Sequence, residues 1–198
     1  MHIIGLTGGI ASGKSTFSSM LRKLGAPVVD ADAVSRALTA AGGAALPGIR
    51  DRFGGDVFAA DGTLNRAALA EIVFNSEQSR RDLESIVHPM VIAECSARLA
   101  VLCESGVTAA VLEAPLLIES GMHGMCDEIW VTYCPVSTQL ERLMERDRLT
   151  AKQANARIAS QTPFHEKARL ADVILPMLGS RMGICAMAAR QWNRATMV

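Results

Sequence analysis

The chain is poor in aromatic residues, has no excess of charge of either sign and contains no long apolar run. Aromatic side chains make up 4% of its 198 residues, and 20 basic residues balance 20 acidic ones. Because there is no surplus of positive charge, we expect neither nucleic acid nor a membrane as a partner. No apolar run approaches the length of a membrane span, and the N-terminus lacks the basic and apolar regions of a secretory signal.

The cysteines argue against a disulfide-rich or zinc-binding protein. They are odd in number, and none forms a Cys-x-x-Cys pair. Most stand in apolar surroundings and are expected to be reduced thiols of the core, as in a reducing compartment. We therefore expect a soluble, cytoplasmic protein. The five residues are Cys95, Cys103, Cys126, Cys134 and Cys185.

What the chain does contain, near its start, is the pattern of a phosphate-binding loop. Gly8–Ser15 reads GGIASGKS and fits G-x-x-x-x-G-K-[ST] at every fixed position. Backbone N–H groups of such a loop, beginning at Gly8 and Gly9, wrap the phosphates of a nucleotide. In such a loop, Lys14 is expected to reach the β- and γ-phosphates, and the Ser15 hydroxyl is expected to bind Mg²⁺. A chance match is the alternative, but a strand signal before the loop and a helical pattern after it favour nucleotide binding.

Five strand signals alternate with helical patterns, which predicts an α/β fold with a five-stranded parallel sheet between helical layers. We place the core at about residues 1–40, 106–136 and 170–198. A helical insertion at about 41–105, interrupted at Pro89, is placed beside the nucleotide site. A charge-rich helical stretch at about 137–169 is interpreted as a lid. The predicted strands are 2–7, 27–30, 108–113, 128–134 and 171–175.

Acidic residues follow two of these strands. Ligands of open parallel sheets bind at the carboxyl ends of the strands, where Asp30, Asp32 and Glu113 stand. Asp32 can accept a proton from an attacking hydroxyl or hold Mg²⁺ through water. Glu113 stands where an acid near the metal is expected. The alternative for each of these acids is that it caps the following helix.

The predicted lid supplies cations for a migrating phosphoryl group. Arg142 and Arg146 are four residues apart and share a helix face. The alternative is a solvated face that pairs with nearby acids. His88 stands beside Pro89 at a predicted helix break, where a structural role is the alternative to a functional one.

Taken together, these residues give a chain that resembles the dephospho-coenzyme A kinases over roughly residues 3–175. The phosphate-binding loop alone belongs to a whole superfamily, but the order of the further motifs is more specific. The matching segments are 5–16 (GLTGGIASGKST), 28–32 (VVDAD), 61–66 (DGTLNR), 88–89 (HP), 115–119 (PLLIE), 141–147 (ERLMERD) and 156–161 (ARIASQ).

The resemblance implies a P-loop NTPase core, a helical domain for the CoA moiety and a lid. It also implies transfer of the ATP γ-phosphate to the ribose 3′-hydroxyl of dephospho-CoA, the last step of CoA synthesis. Asp32 matches the general base, Arg142 and Arg146 match lid positions near phosphates, and His88 and Pro115 match substrate-binding motifs. Ser15 and Glu113 are the implied Mg²⁺ ligands. The implied ATP-phosphate ligands are Ala11, Ser12, Gly13, Lys14, Ser15 and Thr16.

The chain departs from the family pattern at three places. Ala11 replaces a third loop glycine, which is tolerable if its backbone keeps φ below zero. Glu113 replaces a frequent Asp and lengthens the acidic arm. A Leu-Pro-Met-Leu stretch at 175–178 replaces a polar turn expected beside the adenine.

Other function classes stay open at this point. Another small-molecule P-loop kinase, for a nucleoside monophosphate or shikimate, would share the loop. A nucleotide switch or binding module would need no turnover, but the chain lacks the Asn-Lys-x-Asp guanine motif and the transporter signature Leu-Ser-Gly-Gly-Gln. The expected partners are ATP and dephospho-CoA, and the expected state is a monomer or weak homo-oligomer.

Overall fold

A computed structural model describes residues 1–197. It divides the chain into two compact units, one formed by Met1–Val29 with the chain from Leu99 onward, the other by Asp30–Arg98. The first unit holds nearly all of the sheet.

The strands are β1 (His2–Gly8), β2 (Val28–Asp30), β3 (Ala109–Glu113), β4 (Glu128–Tyr133) and β5 (Val173–Pro176). The helices are α1 (Lys14–Lys23), α2 (Ala31–Leu38), α3 (Leu46–Phe53), α4 (Arg66–Asn75), α5 (Glu77–Glu104), α6 (Val136–Asp147), α7 (Ala151–Ala159), α8 (Phe164–Ala168) and α9 (Arg181–Thr196).

The five strands form one sheet in the order β2-β3-β1-β4-β5, which confirms the predicted sheet. β1 pairs in parallel with β3 and β4, and β4 pairs in parallel with β5. The central strands β3 and β4 are buried along nearly their whole length, because helical layers cover both faces of the sheet. The carboxyl ends of β1, β3 and β4 therefore meet at one edge.

One face of the sheet packs against α1 and α9. Phe17 and Leu21 of α1 and Trp192 of α9 join the strand residues Trp130 and Leu175 in a buried core. Phe17 and Trp130 meet edge to face, with ring centroids 6.2 Å apart. This packing holds α1 rigidly behind the loop that precedes it.

The other face is covered by the segment after β3 and by α8. A Cβ on Gly5 would lie 2.7 Å from Leu117 and 2.8 Å from the Cys126 sulfur. Only a glycine allows this approach to β1. Phe164 of α8 packs on Tyr133, with ring centroids 4.4 Å apart. The three predicted layers are therefore present.

The second unit is helical. It contains α2, α3, α4 and most of α5. Arg66 ties the start of α4 to the end of α2 by donating to the Thr39 hydroxyl at 2.8 Å. The division at Asp30 and Arg98 leaves α6, α7 and α8, which span the predicted lid, in the first unit.

The predicted helix break at Pro89 is wrong. α5 runs without interruption from Glu77 to Glu104 with Pro89 inside it. A proline removes one backbone hydrogen bond from a helix, and 28 residues of continuous helix tolerate that loss here. His88 is half-buried within α5 and does not stand at a helix end.

α5 also corrects the expectation that no apolar segment approaches the length of a membrane span. By length and composition, this helix could cross a membrane, since an 18-residue window has a mean hydropathy of 1.5. One such helix is weak evidence for a span, because helices of soluble proteins meet the same criterion.

All five cysteines are free. Cys95 and Cys134 are buried and Cys126 is half-buried, but Cys103 and Cys185 are exposed. Three of the five are buried or half-buried, in agreement with the expectation for most of them, and their reduced state stays a prediction. The expectation does not describe the two exposed residues, Cys103 and Cys185. Both lie on exposed helix surfaces, which sequence hydropathy does not distinguish from buried ones.

Candidate active site

The predicted phosphate-binding loop connects β1 to α1, and two of its positions require glycine for steric reasons. Gly13 has φ 98°, in the left-handed region, and caps the N-terminus of α1. A Cβ on Gly13 would also meet the Met177 side chain at 3.1 Å, and one on Gly8 would lie 2.0 Å from the Thr132 hydroxyl. Both positions therefore need glycine. Gly9 is less restricted, since its nearest neighbour would be Gln139 at 3.4 Å.

Ala11 adopts a left-handed conformation. Its φ is 56°, so the condition that φ stay below zero is not met. A Cβ in this region approaches the backbone closely, which costs roughly 1–2 kcal/mol for a residue other than glycine. The carbonyl of Ala11 accepts a hydrogen bond from Arg142 at 3.4 Å and a weak one from the Cys134 thiol at 3.8 Å. The loop thus carries backbone strain at Ala11.

Side chains from elsewhere in the first unit fix the loop. The hydroxyls of Ser12 and Thr132 lie 2.7 Å apart, and Thr132 donates to the Thr7 carbonyl at 3.2 Å. On the lid side, the N–H of Ile10 donates to Oε1 of Gln161 at 2.6 Å. Both the base and the tip of the loop are therefore held in place.

Lys14 contacts Glu113 directly. Its Nζ lies 2.8 Å from Oε1 of Glu113, whose side chain is 4% exposed. Oε2 of the same carboxylate accepts from the Ser18 hydroxyl at 2.5 Å and from Arg22 at 3.3 Å. The end of β3 thus delivers an acid to the loop, as predicted. Both oxygens of Glu113 accept from side chains of α1, which does not support the helix-cap alternative. Its role as a metal ligand stays a prediction.

Ser15 and Thr16 lie in the first turn of α1 and are exposed. A hydroxyl at this position can serve as an oxygen ligand for Mg²⁺, which takes few protein ligands and completes its shell with water and phosphate. Among residues 1–197, no cluster of three or more His, Cys, Asp or Glu side chains could hold a metal alone.

The two predicted lid arginines have different surroundings. Arg142 reaches back to the loop and also donates to the Met177 carbonyl at 3.0 Å. Arg146 is 60% exposed on its side chain and forms a two-pronged pair with Asp147, at 2.7 and 3.1 Å. Its hydrogen bonds lower the pKa of Asp147 and raise that of Arg146. The predicted solvated-face alternative therefore describes Arg146 better than Arg142.

Pro115 accepts two hydrogen bonds at its carbonyl, from the Thr7 hydroxyl and from Nζ of Lys167, each at 3.2 Å. Lys167 comes from α8, is 2% exposed on its side chain, and pairs with Glu119 at 2.7 Å. Burial raises the pKa of Glu119, but hydrogen bonds from Lys167 and Thr162 outweigh it, so the pKa lies below its ordinary value.

Three further predicted residues belong to the second unit. Asp30 caps α2 by accepting from the Ala33 N–H at 3.0 Å, which confirms the capping alternative for this residue. Asp32 lies in the first turn of α2, and His88 lies within α5. Their functional roles stay predictions.

A model of the family described as CoaE, dephospho-CoA kinase, matches residues 2–180. A dephospho-CoA kinase from Carboxydothermus hydrogenoformans is 44% identical over 180 residues, covering 91% of this chain and 87% of the relative. The chain belongs to the dephospho-CoA kinase family. Two solved structures have a similar fold. TT1252 from Thermus thermophilus has a TM-score of 0.84 at 32% identity, covering 100% of this chain and 98% of its own. The dephospho-CoA kinase from Campylobacter jejuni has a TM-score of 0.75 at 28% identity, and the match covers 98% of this chain and 97% of that structure.

Membership in the dephospho-CoA kinase family makes this chain a kinase of the final step of CoA biosynthesis. The stretch at 175–178 departs from the expected polar turn, yet it lies against the loop. Met177 is 2% exposed, packs over Gly13, and is held at its carbonyl by Arg142.

Sequence reasoning missed four residues of this site: Ser18, Arg22, Thr132 and Lys167. For Lys14, Ser18 and Arg22 the signal was available, because a spacing of four residues places all three on one face of α1. Lys167 and Thr132 carried no such signal, since their partners are distant in sequence.

Proposed function

We propose that this chain transfers the γ-phosphate of ATP to the ribose 3′-hydroxyl of dephospho-CoA, giving CoA and ADP. The observation that carries the proposal is the position of Lys14, at the N-terminus of α1 and directly after a glycine loop, in a chain of this family. Free N–H groups and the dipole at a helix N-terminus favour phosphate. Lys14 adds a full charge that can neutralise the β- and γ-phosphates.

The chemistry of the loop fits Mg²⁺. We propose that Ser15 binds the ion directly, because its hydroxyl is exposed in the first turn of α1. When bound, Mg²⁺ supplies charge neutralisation between the β- and γ-phosphates. Glu113 suits a metal by its chemistry, but Lys14, Ser18 and Arg22 already contact both of its oxygens. We therefore infer that Glu113 acts chiefly on Lys14.

Asp32 is the proposed general base. The resemblance supports this role, as does its place directly after β2, where substrate groups of parallel sheets bind. The 3′-oxygen attacks the γ-phosphorus while the bond to the β–γ bridging oxygen breaks. ADP leaves with that electron pair, and the proton of the 3′-hydroxyl passes to the Asp32 carboxylate.

The lid arginines are proposed to stabilise the transferring group. Arg142 already contacts the loop, and Arg146 is four residues further along the same helix face. Closing cations over the γ-phosphate would also exclude water and suppress ATP hydrolysis. We assign CoA recognition to the helical insertion with His88, and to Pro115.

The proposed partners are small molecules only, and the proposed state is a cytoplasmic monomer or weak homo-oligomer. A net charge of zero supports the absence of nucleic acid. Five free cysteines support a reducing compartment.

The test is an ADP-release assay with Mg²⁺-ATP, with and without dephospho-CoA, in which the product is identified by mass. ADP that appears only with dephospho-CoA, together with one added phosphate on the product, supports the proposal. Shikimate and nucleosides serve as control acceptors. Turnover of a control acceptor in place of dephospho-CoA would refute the substrate, and tight ATP binding without any turnover would point to a nucleotide switch.

Asp32 has a matched control in Asp30. Asp32→Asn keeps the size of the side chain but removes the proton acceptor, so kcat should fall by orders of magnitude. Asp30→Asn keeps the helix cap, because Asn caps as well as Asp, and kcat should hardly change. Near-parental kcat in Asp32→Asn would remove the base assignment.

A further inference from the structure

Three donors on one face of α1 converge on a single buried carboxylate. Glu113 is 4% exposed on its side chain and accepts from Lys14 through Oε1. Its Oε2 accepts from Ser18 at 2.5 Å and from Arg22 at 3.3 Å. Nη1 of Arg22 also donates to the Ser18 hydroxyl at 2.7 Å. Lys14 and Arg22 thus hold opposite oxygens of one carboxylate.

We propose that Arg22, through Ser18, keeps Glu113 neutralised while Lys14 leaves it for the phosphates of ATP. Arg22 is then a positioning residue that sets the affinity for ATP without touching the nucleotide. This inference rests on the proposed function, because it requires that Lys14 bind phosphate.

The physical reason is the cost of an isolated buried charge. A carboxylate that loses its only cation in a dry environment is strongly destabilised. Lys14 would therefore remain on Glu113 if nothing else neutralised the acid, and phosphate would have to compete for it. Arg22 and Ser18 lower that cost, because their bonds to Oε2 do not depend on the Lys14 bond to Oε1.

The surroundings of Arg22 fit this role. Its side chain is 42% exposed, so the guanidinium keeps part of its hydration and is available when Lys14 departs. The guanidinium presents several donors in a planar fork, which suits contact with both the hydroxyl and the carboxylate. Lys14, by contrast, is 12% exposed and donates to one oxygen only.

A double-mutant cycle separates this role from simple packing. The dissociation constant of Mg²⁺-ATP is measured by calorimetry for the parent chain, Arg22→Ala, Glu113→Gln and the double variant. We expect Arg22→Ala to weaken ATP binding roughly fivefold in the parent, a coupling of ordinary size for groups in contact. In the Glu113→Gln background the same change should have less than about a twofold effect, because no charge remains to be neutralised.

The controls address folding and charge. Arg22→Lys keeps a cation and should restore part of the affinity. Ser18→Ala removes only the relay hydroxyl, so it tests the same network in a milder way if Arg22→Ala folds poorly. Arg98→Ala removes an arginine of similar exposure, 48%, that pairs with Glu94 on α5, and should leave ATP binding unchanged.

Two outcomes would overturn the inference while leaving the proposed function intact. Equal weakening of ATP binding by Arg22→Ala in both backgrounds would show that Arg22 acts by packing alone. Unchanged affinity in Arg22→Ala and in Ser18→Ala would show that the network does not act on Lys14. A parent chain that binds no ATP would instead refute the proposed function, and the inference with it.

Discussion

Ala11→Gly should make this protein more stable. Ala11 has φ 56°, and a left-handed alanine costs roughly 1–2 kcal/mol relative to its ordinary conformation. Glycine removes that cost but adds about 0.5–1 kcal/mol of chain entropy to the unfolded state. The net gain in the free energy of unfolding is therefore about 0–1.5 kcal/mol, with a central value of about 0.75 kcal/mol. For a chain of this size, the central value raises Tm by roughly 1.5–3 °C.

The matched control is the same substitution on a helix. Ala97 is exposed within α5, and Ala97→Gly should lower the free energy of unfolding by roughly 0.5–1 kcal/mol. Urea titration and thermal unfolding without nucleotide measure both variants. The same chemical change should therefore raise the free energy of unfolding at position 11 and lower it at position 97. If Ala11→Gly is less stable than the parent, to the same extent as Ala97→Gly, the left-handed strain at this loop position does not exist.

Further predictions concern the site and its supports. Lys14→Ala should lower kcat by at least about 100-fold, since it removes a charge that stabilises the transferring phosphate. Steady-state ADP release measures this, and a retained kcat would contradict the assignment. Lys167→Met should lower the free energy of unfolding by roughly 2 kcal/mol, because it leaves Glu119 without its cation. This figure is set below the cost for a fully buried pair because the Glu119 side chain is 25% exposed and solvent screens its charge. The deficit should shrink as pH falls below 4.5 and Glu119 protonates, because a lowered pKa in the folded state stabilises only above the unfolded value; a deficit independent of pH in urea titrations would point to packing instead. Burial raises the pKa of the Cys126 thiol to about 12, so at pH 8 a disulfide reagent should modify the exposed Cys103 and Cys185 before Cys126. Rapid labelling of Cys126 would contradict its burial.

Local patterns were sufficient for much of the fold. The strand before the loop, the glycines and the spacing of Phe17 and Leu21 predicted β1, the loop and α1, because each depends on residues close in sequence. All five strands were placed within about two residues for the same reason. The break at Pro89 was wrong, since a long helix can tolerate one missing hydrogen bond, and no local signal tells whether it will.

Contacts between distant segments required the tertiary structure. The buried pair of Lys167 with Glu119 joins two segments that are far apart in the chain. The positive φ of Ala11 depends on how several such segments pack around the loop. The same holds for the convergence of Lys14, Ser18 and Arg22 on Glu113: the helix spacing was visible, but the buried acid between them was not.

The sequence by itself determined the phosphate-binding loop, the alternation of strands and helices, and the family, because these depend on residue type and order. Only the tertiary structure decided which charges meet. The free energy of an ion pair depends on distance and burial, and both arise when β3, α1 and α8 pack around the same edge of the sheet.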